Sequence, residues 1–369
     1  MASLLDLARH GQSVWLDFID RNLMIRGGLQ RLVDSGITGV TTNPSIFNKA
    51  IGGSRDYDEA IRELLEQNHE VDPAQLCEGL MVGDVQMAAD VLRPVYERTQ
   101  GRDGYVSLEV PPDLAYDIER TLMSAHRLWS AVQRPNVMIK VPGTAQGVRA
   151  FERLTADGIN VNVTLLFAVA RYEEVVRAWA RGLARNQTPE KVASVASFFV
   201  SRVDTKVDKK LDAIGGPEAV RLRGRIAVAN AKVAYRSFHA LLKEPDVAAQ
   251  IKRGARPQRP LWASTSTKDP SYSDVLYVES LIGPDTVNTL PPETLDAFLY
   301  HGEASYSLEA DIDVAQRDLD ALKRLGVDLD GITRELEDEG VASFGDSWSK
   351  LLAALKEKRF AVAKDFAGQ

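Results

Sequence analysis

Short β-branched runs recur along the chain, each with a polar residue at or near its end, and each is followed by apolar positions at helical spacing. The runs that read as strands are 14–18, 39–42, 105–110, 137–141, 160–165, 192–200, 261–265 and 286–290. Amphipathic segments between them, among them 58–67, 73–100, 114–132, 146–156, 168–185 and 217–242, read as helices. Strand and helix in alternation predict a parallel sheet with right-handed crossovers. Eight such units in one uninterrupted run close most economically into a (β/α)8 TIM barrel, an α/β fold. Two stretches exceed the minimal barrel: 43–104 holds an additional helix after strand 2, and 303–366 adds helices after strand 8. Periodic Leu319, Leu322 and Leu325, then Leu351, Leu352 and Leu355, predict that this C-terminal extension packs on the barrel, within one domain spanning 1–369. A separate helical subdomain is the alternative.

Strand side chains alternate between two faces. Ser107 and Glu109 therefore oppose Val106, Leu108 and Val110. Asn160, Asn162 and Thr164 oppose Val161, Val163 and Leu165, and Met138 with Lys140 opposes Val137, Ile139 and Val141. The apolar sets must face the helices, so the polar sets point into the barrel. Asp17, Glu109 and Lys140 then converge near the carboxyl ends of strands one, three and four, the end where barrels build active sites. An ordinary barrel interior is filled with branched apolar side chains, so this cluster marks a candidate site. An internal ion-pair network is the other reading. None of His10, His69, His126, His239 and His301 falls in a predicted strand, which disfavours a histidine-ligated metal and leaves metal ligands unassigned. Without a companion histidine, two carboxylates and a lysine also point away from a Ser-His-Asp hydrolase.

Composition narrows the picture. The 369 residues are 44% apolar, ample for one large core, and 45 basic against 52 acidic side chains give a net charge of −7. That balance lacks the long-range attraction that a nucleic-acid or anionic-membrane binder needs, so neither partner is expected. The single cysteine, Cys77, excludes an intramolecular disulfide and fits a reducing compartment, and it reads as a small buried apolar residue. The start of the chain shows no secretory signal pattern and no window approaches a membrane span, so a cytoplasmic protein is expected. The basic stretch 252–259 reads as a solvated loop before strand seven.

A lysine inside a barrel has a chemical use. A neutral amine adds to a carbonyl to form a Schiff base, whose cationic nitrogen then serves as an electron sink. At an ordinary pKa of ~10.4 only about one amine in 2,500 is unprotonated at pH 7. Burial lowers that pKa, whereas nearby carboxylates oppose the shift and must stand back or act through water. An imine flanked by a base permits cleavage of the C–C bond one carbon away, the chemistry of a class I aldolase, which requires no further cofactor.

With these residues in place the chain resembles the transaldolases along almost its whole length. The segment 38–46 (TGVTTNPSI) is similar to the family's second-strand motif, and 106–117 (VSLEVPPDLAYD) to the segment with its catalytic glutamate. The segment 136–147 (NVMIKVPGTAQG) resembles the Schiff-base lysine motif, and 158–167 (GINVNVTLLF) the strand that follows. Farther on, 261–277 (LWASTSTKDPSYSDVLY) and 285–291 (DTVNTLP) resemble the longer bacterial-type members.

The resemblance implies transfer of a dihydroxyacetone unit from sedoheptulose 7-phosphate or fructose 6-phosphate to glyceraldehyde 3-phosphate or erythrose 4-phosphate. It places the reaction in the non-oxidative pentose phosphate pathway. It makes Lys140 the imine-forming residue, Asp17 the base at the C4 hydroxyl, and Glu109 a proton shuttle through a water held by Thr164. Asn43 and Asn162 would hold hydroxyls of the three-carbon unit, supported by Thr41 and Ser197. Arg202 and Ser264 match phosphate ligands, but Ser266 stands where many members have a second arginine, and Lys268 is expected to supply the missing charge. No metal or organic cofactor is implied. The expected partners are small sugar phosphates, with the chain a monomer or homodimer. The rival expectations are a related aldolase that releases free dihydroxyacetone and a catalytically silent barrel.

Overall fold

A computed structural model describes residues 3–68 and 70–367. A short helix α1 (Leu4–Arg9) precedes β1 (Gln12–Leu16), and α2 (Arg21–Ile25) and α3 (Gly28–Ser35) lead to β2 (Ile37–Val40). Three helices, α4 (Pro44–Gly52), α5 (Asp58–Gln67) and α6 (Pro73–Arg98), separate β2 from β3 (Tyr105–Glu109). Single helices α7 (Ile118–Val132), α8 (Ala145–Ala156) and α9 (Val169–Arg185) then alternate with β4 (Val137–Pro142), β5 (Val161–Leu166) and β6 (Ser194–Phe199). Four helices follow: α10 (Ser201–Ile214), α11 (Gly216–Leu222), α12 (Ile226–Leu241) and α13 (Pro245–Lys252). They lead to β7 (Arg259–Ala263), the short α14 (Leu276–Glu279) and β8 (Thr286–Leu290). Helices α15 (Pro292–His301), α16 (Ile312–Arg324) and α17 (Leu329–Ala367) complete the described chain.

All eight strands pair in sequence order and in parallel, and β8 closes on β1. The alternation of β and α therefore produces the expected (β/α)8 barrel. The strand interiors are β-branched and apolar on the helix-facing side, and the helices start on side-chain caps. Asp72 accepts from the Ala74 and Gln75 amides at the head of α6, Asp117 from Arg120 at α7, and Thr144 from Gly147 at α8. Inside the barrel Trp15 packs against β2 because Gly39 has no side chain: a Cβ there would lie 2.5 Å from the indole ring.

Three expectations need correction. The two helices expected between β2 and β3, one of them additional, are joined by a third, α4, so two exceed the barrel unit; Pro44 and Asn43 start α4 as soon as the strand ends. The helix expected over 217–242 is broken at Gly224, whose φ of +68° leaves the helical region. The stretch 252–259 is not wholly solvated. Arg259 enters β7 and is buried, donating to Ser13 Oγ at 2.7 Å and the Arg102 carbonyl at 2.8 Å on the barrel floor.

In the C-terminal extension Leu322, Leu351 and Leu355 are buried, and Leu319, Leu325 and Leu352 are partly buried against the same core. The long helix α17 lies against α4, α5 and α6 on one side and α10 on the other, so it crosses the carboxyl end of the barrel. Cys77 is buried in α6. His69 lies outside the described residues; the other four histidines are outside the strands. Among the described residues no helix is long and apolar enough to cross a membrane.

Candidate active site

The carboxyl ends of the strands open into a cavity of about 340 Å³. Its walls include Asp17, Thr41, Asn43, Lys140, Ser197, Arg202, Ser264, Ser266 and Lys268. Glu109, Asn162 and Thr164 are buried below this surface, on the strands that flank Lys140. Register explains the juxtaposition: Glu109 is the ladder partner of Lys140, which is in turn the partner of Asn162. Parallel neighbours in register point to the same face of the sheet, so all three share the interior.

Lys140 Nζ donates to the Thr42 carbonyl at 3.0 Å and lies 3.6 Å from Glu109 Oε2. The second distance is an ion pair without a direct hydrogen bond. Burial pushes the Glu109 carboxyl up to about 7; the Lys140 charge opposes that shift and the Asp17 charge adds to it. Glu109 Oε2 and Thr164 Oγ1 are both buried without a hydrogen-bond partner.

Asp17 follows β1 directly, and its amide donates to the Leu290 carbonyl at 2.8 Å, which extends the ladder to β8 by one residue. Thr41 Oγ1 donates to Asp17 Oδ1 at 2.7 Å and itself meets Thr289 Oγ1 at 2.6 Å. Because Thr41 has one hydroxyl proton, giving it to Asp17 makes Thr289 the donor to Thr41. Loss of water around the Asp17 carboxyl raises its pKa; Lys140 and the Thr41 hydrogen bond pull it down, and Glu293 pushes it up.

Two further chains of contacts fix the amides. Ser197 Oγ donates to Asn162 Oδ1 at 2.7 Å, and Asn162 Nδ2 donates to Ser107 Oγ at 3.0 Å. Asn43 Oδ1 caps α4 by accepting the Ile46 amide at 3.0 Å, which leaves its NH2 group as the donor available to the cavity.

One end of the cavity is cationic. Arg202 projects from the first turn of α10, its guanidinium 5.4 Å from the centre of the Phe199 ring, and burial lowers its pKa. Ser264 adopts a left-handed backbone, φ +54°, directly after β7, and its Oγ lies 3.0 Å from that of Ser201. Lys268 Nζ donates to Ser266 Oγ at 2.5 Å. Burial lowers the Lys268 pKa, and the nearby charges of Arg202 and Lys49 lower it further.

Sequence reasoning missed several wall residues: Lys49 from α4, Thr289 from β8, Glu293 from α15 and Phe344 from α17. Phe344 is buried where α17 meets the cavity. The Thr42 carbonyl that holds Lys140 is also absent from any reading by residue type, because a backbone acceptor has no side-chain signature. Among the described residues no group of three or more His, Cys, Asp or Glu side chains is placed to hold a metal ion.

The chain matches the family model described as transaldolase/fructose-6-phosphate aldolase over residues 14–355. It is 47% identical over 355 residues to a protein of Thiobacillus denitrificans named transaldolase, with 95% of this chain and 98% of that protein covered. Transaldolases of Acidothermus cellulolyticus and Mycobacterium bovis are 48% and 45% identical, each with 95% of both chains covered.

Proposed function

The chain belongs to the transaldolase/fructose-6-phosphate aldolase family, and from that premise we propose that its transaldolase function runs through a Schiff base on Lys140 at the base of the described cavity. The observation that carries this reading is the buried Lys140 amine, 3.6 Å from a carboxyl with a pKa near 7 and open to the same cavity as Asp17.

The neutral amine adds to the C2 carbonyl of a ketose phosphate, and the carbinolamine loses water to give an iminium ion. The Asp17 carboxylate takes the proton of the C4 hydroxyl. The electrons of the C3–C4 bond flow into the iminium, which becomes an enamine, and an aldose phosphate leaves. The enamine carbon then attacks the carbonyl of an acceptor aldose phosphate, and Asp17 returns its proton to the new hydroxyl. Water adds to the iminium, and the amine and the new ketose part.

Glu109 suits the proton transfers of imine formation and hydrolysis. A carboxyl with a midpoint of about 7 is both donor and acceptor at neutral pH. Its unpartnered Oε2 and the unpartnered Thr164 Oγ1 are the groups that would share a water. Asn43 and Asn162 hold hydroxyls of the three-carbon unit, kept in place by helix capping in one case and by Ser197 and Ser107 in the other. Thr41 orients Asp17. Arg202, Ser264, Ser266 and Lys268 receive the phosphate, which also shields the two cations from each other.

Product analysis with fructose 6-phosphate, with and without erythrose 4-phosphate, tests this reading. Transfer predicts sedoheptulose 7-phosphate only when the acceptor is present. Free dihydroxyacetone released at the same rate without acceptor would make the chain a hydrolytic aldolase instead.

A further inference from the structure

Lys268 stands on the loop between β7 and α14; besides Ser264 and Thr265 at its start and the Arg223–Asp269 ion pair, two tyrosine hydroxyls anchor this segment from outside the active-site cavity. The Tyr272 hydroxyl donates to Asp208 Oδ2 at 2.8 Å, and the Tyr277 hydroxyl donates to Asp204 Oδ2 at 3.0 Å. Both carboxylates belong to α10, four residues apart and so on one face of the helix whose first turn presents Arg202. Their other oxygens are used as well. Asp208 Oδ1 accepts the Gly224 amide at 3.2 Å, and Asp204 Oδ1 accepts the Ala227 amide at 2.7 Å. Asp208 therefore ties the loop to α10 and to the α11–α12 turn at once, and Asp204 ties α14 to α10 and to the first turn of α12.

The seat for Tyr272 is shaped for an aromatic ring. Gly224 has φ +68°, and a Cβ at that position would lie 2.8 Å from Cζ of Tyr272. Lys268 borders both the active-site cavity and a neighbouring cleft formed by Asp204, Asp208, Tyr272 and Tyr277. Lys268 and Arg202 both line the active-site cavity and carry like charge, so an anion bound between them is favoured by both. A phosphate held by both needs the loop fixed relative to α10, and the Tyr272–Asp208 hydrogen bond provides that from outside the cavity. Tyr277 is deeply buried at α14, whereas Tyr272 is the part-buried contact four residues from Lys268.

We propose that the Tyr272–Asp208 hydrogen bond is a latch that holds Lys268 at phosphate-binding distance from Arg202, which makes Tyr272 and Asp208 positioning residues for the phosphorylated substrate. The inference rests on the reading of Lys268 as a phosphate contact. Neither residue touches the reacting atoms, so the latch acts on binding and leaves the covalent steps alone. A Lys ammonium is a point charge on a flexible stem, and its contribution depends on how firmly its backbone is fixed.

The test is a kinetic double-mutant cycle on the full chain, read as the KM for fructose 6-phosphate and the Ki of inorganic phosphate as competitor. Tyr272→Phe keeps the ring in its seat and removes only the hydroxyl. It is expected to raise KM and Ki together by about three- to tenfold, the worth of one hydrogen bond, with kcat within twofold of the unaltered chain. Asp208→Asn keeps an acceptor for the Gly224 amide, and its NH2 group can donate to the Tyr272 hydroxyl, so it should change both constants less than Tyr272→Phe does. Lys268→Ala should raise both constants, and Tyr272→Phe should add nothing further in that background. If Lys268→Ala leaves both constants unchanged, Lys268 is not a phosphate contact and the latch has nothing to position. If Lys268→Ala acts but Tyr272→Phe does not, or if Tyr272→Phe acts equally without Lys268, the latch alone is overturned.

Discussion

Glu109 Oε2 lies 3.6 Å from Lys140 Nζ, between two residues that are direct ladder partners on β3 and β4. The two groups are near enough to exchange a proton through one intervening molecule, and they make no direct hydrogen bond. Strand register and the hydrogen bond from Lys140 Nζ to the Thr42 carbonyl hold this spacing, and both side chains are buried.

The raised pKa of Glu109 makes pH the first test. The pH profile of kcat/KM should show an ionisation near 7 that disappears in Glu109→Gln, with a rate loss of about 10²–10⁴-fold. Stability should follow the same group. Its pKa is about 7 folded against 4.5 for an unperturbed glutamate, so the folded state binds the proton more tightly. The stabilisation this gives is complete below about pH 4.5 and is lost as pH rises through about 7. The Tm of the unaltered chain relative to Glu109→Gln should therefore fall across that window in thermal denaturation at stepped pH.

Asp17→Ala should separate imine formation from carbon–carbon cleavage. Borohydride reduction in the presence of fructose 6-phosphate should then leave the whole six-carbon sugar phosphate on the protein, and single-turnover release of glyceraldehyde 3-phosphate should slow by about 10²–10⁴-fold. An unaltered cleavage step would show that another group takes the C4 proton.

Thr41→Val removes the hydroxyl that donates to Asp17 and leaves Thr289 Oγ1 without its acceptor. A hydrogen bond to the charged form is lost, so the Asp17 pKa should rise further. The acidic limb of the kcat/KM profile should move to higher pH, and the rate on the plateau should fall about tenfold, the cost of one charge-assisted hydrogen bond.

Phe344→Ala tests the part played by α17 in the cavity wall. Phe344 is 5% exposed, so truncation should cost about 3 kcal/mol in denaturant unfolding. It also opens the cavity to water, and the enamine can then be protonated before an acceptor arrives. The ratio of free dihydroxyacetone to transferred product should rise, measured by coupled assay of both products.

The barrel was legible because two periods coincide in each unit: alternation in the strand and helical spacing after it. Glu109, Lys140, Asn162 and Thr164 could be placed on one interior face from that alternation alone, and Asp17 from its position near the end of the expected strand 14–18, although β1 itself stops at Leu16. What escaped depends on long-range geometry. Phe344, more than 200 residues after Lys140 in the chain, enters the cavity from α17. Lys49 and Glu293 stand on the helices after β2 and β8, where a charged side chain looks like any solvated one. Asn43 was read as a substrate donor, and its simultaneous duty as the cap of α4 follows only from backbone geometry. Gly224, read as the interior of one helix, is the break that seats Tyr272.

The most direct measurement is mass mapping of the protein after borohydride reduction with fructose 6-phosphate. The account predicts a reduced three-carbon adduct on Lys140, and neither adduct nor turnover in a folded Lys140→Ala variant. A modification mapped to a different lysine, or continued turnover by Lys140→Ala, would contradict it.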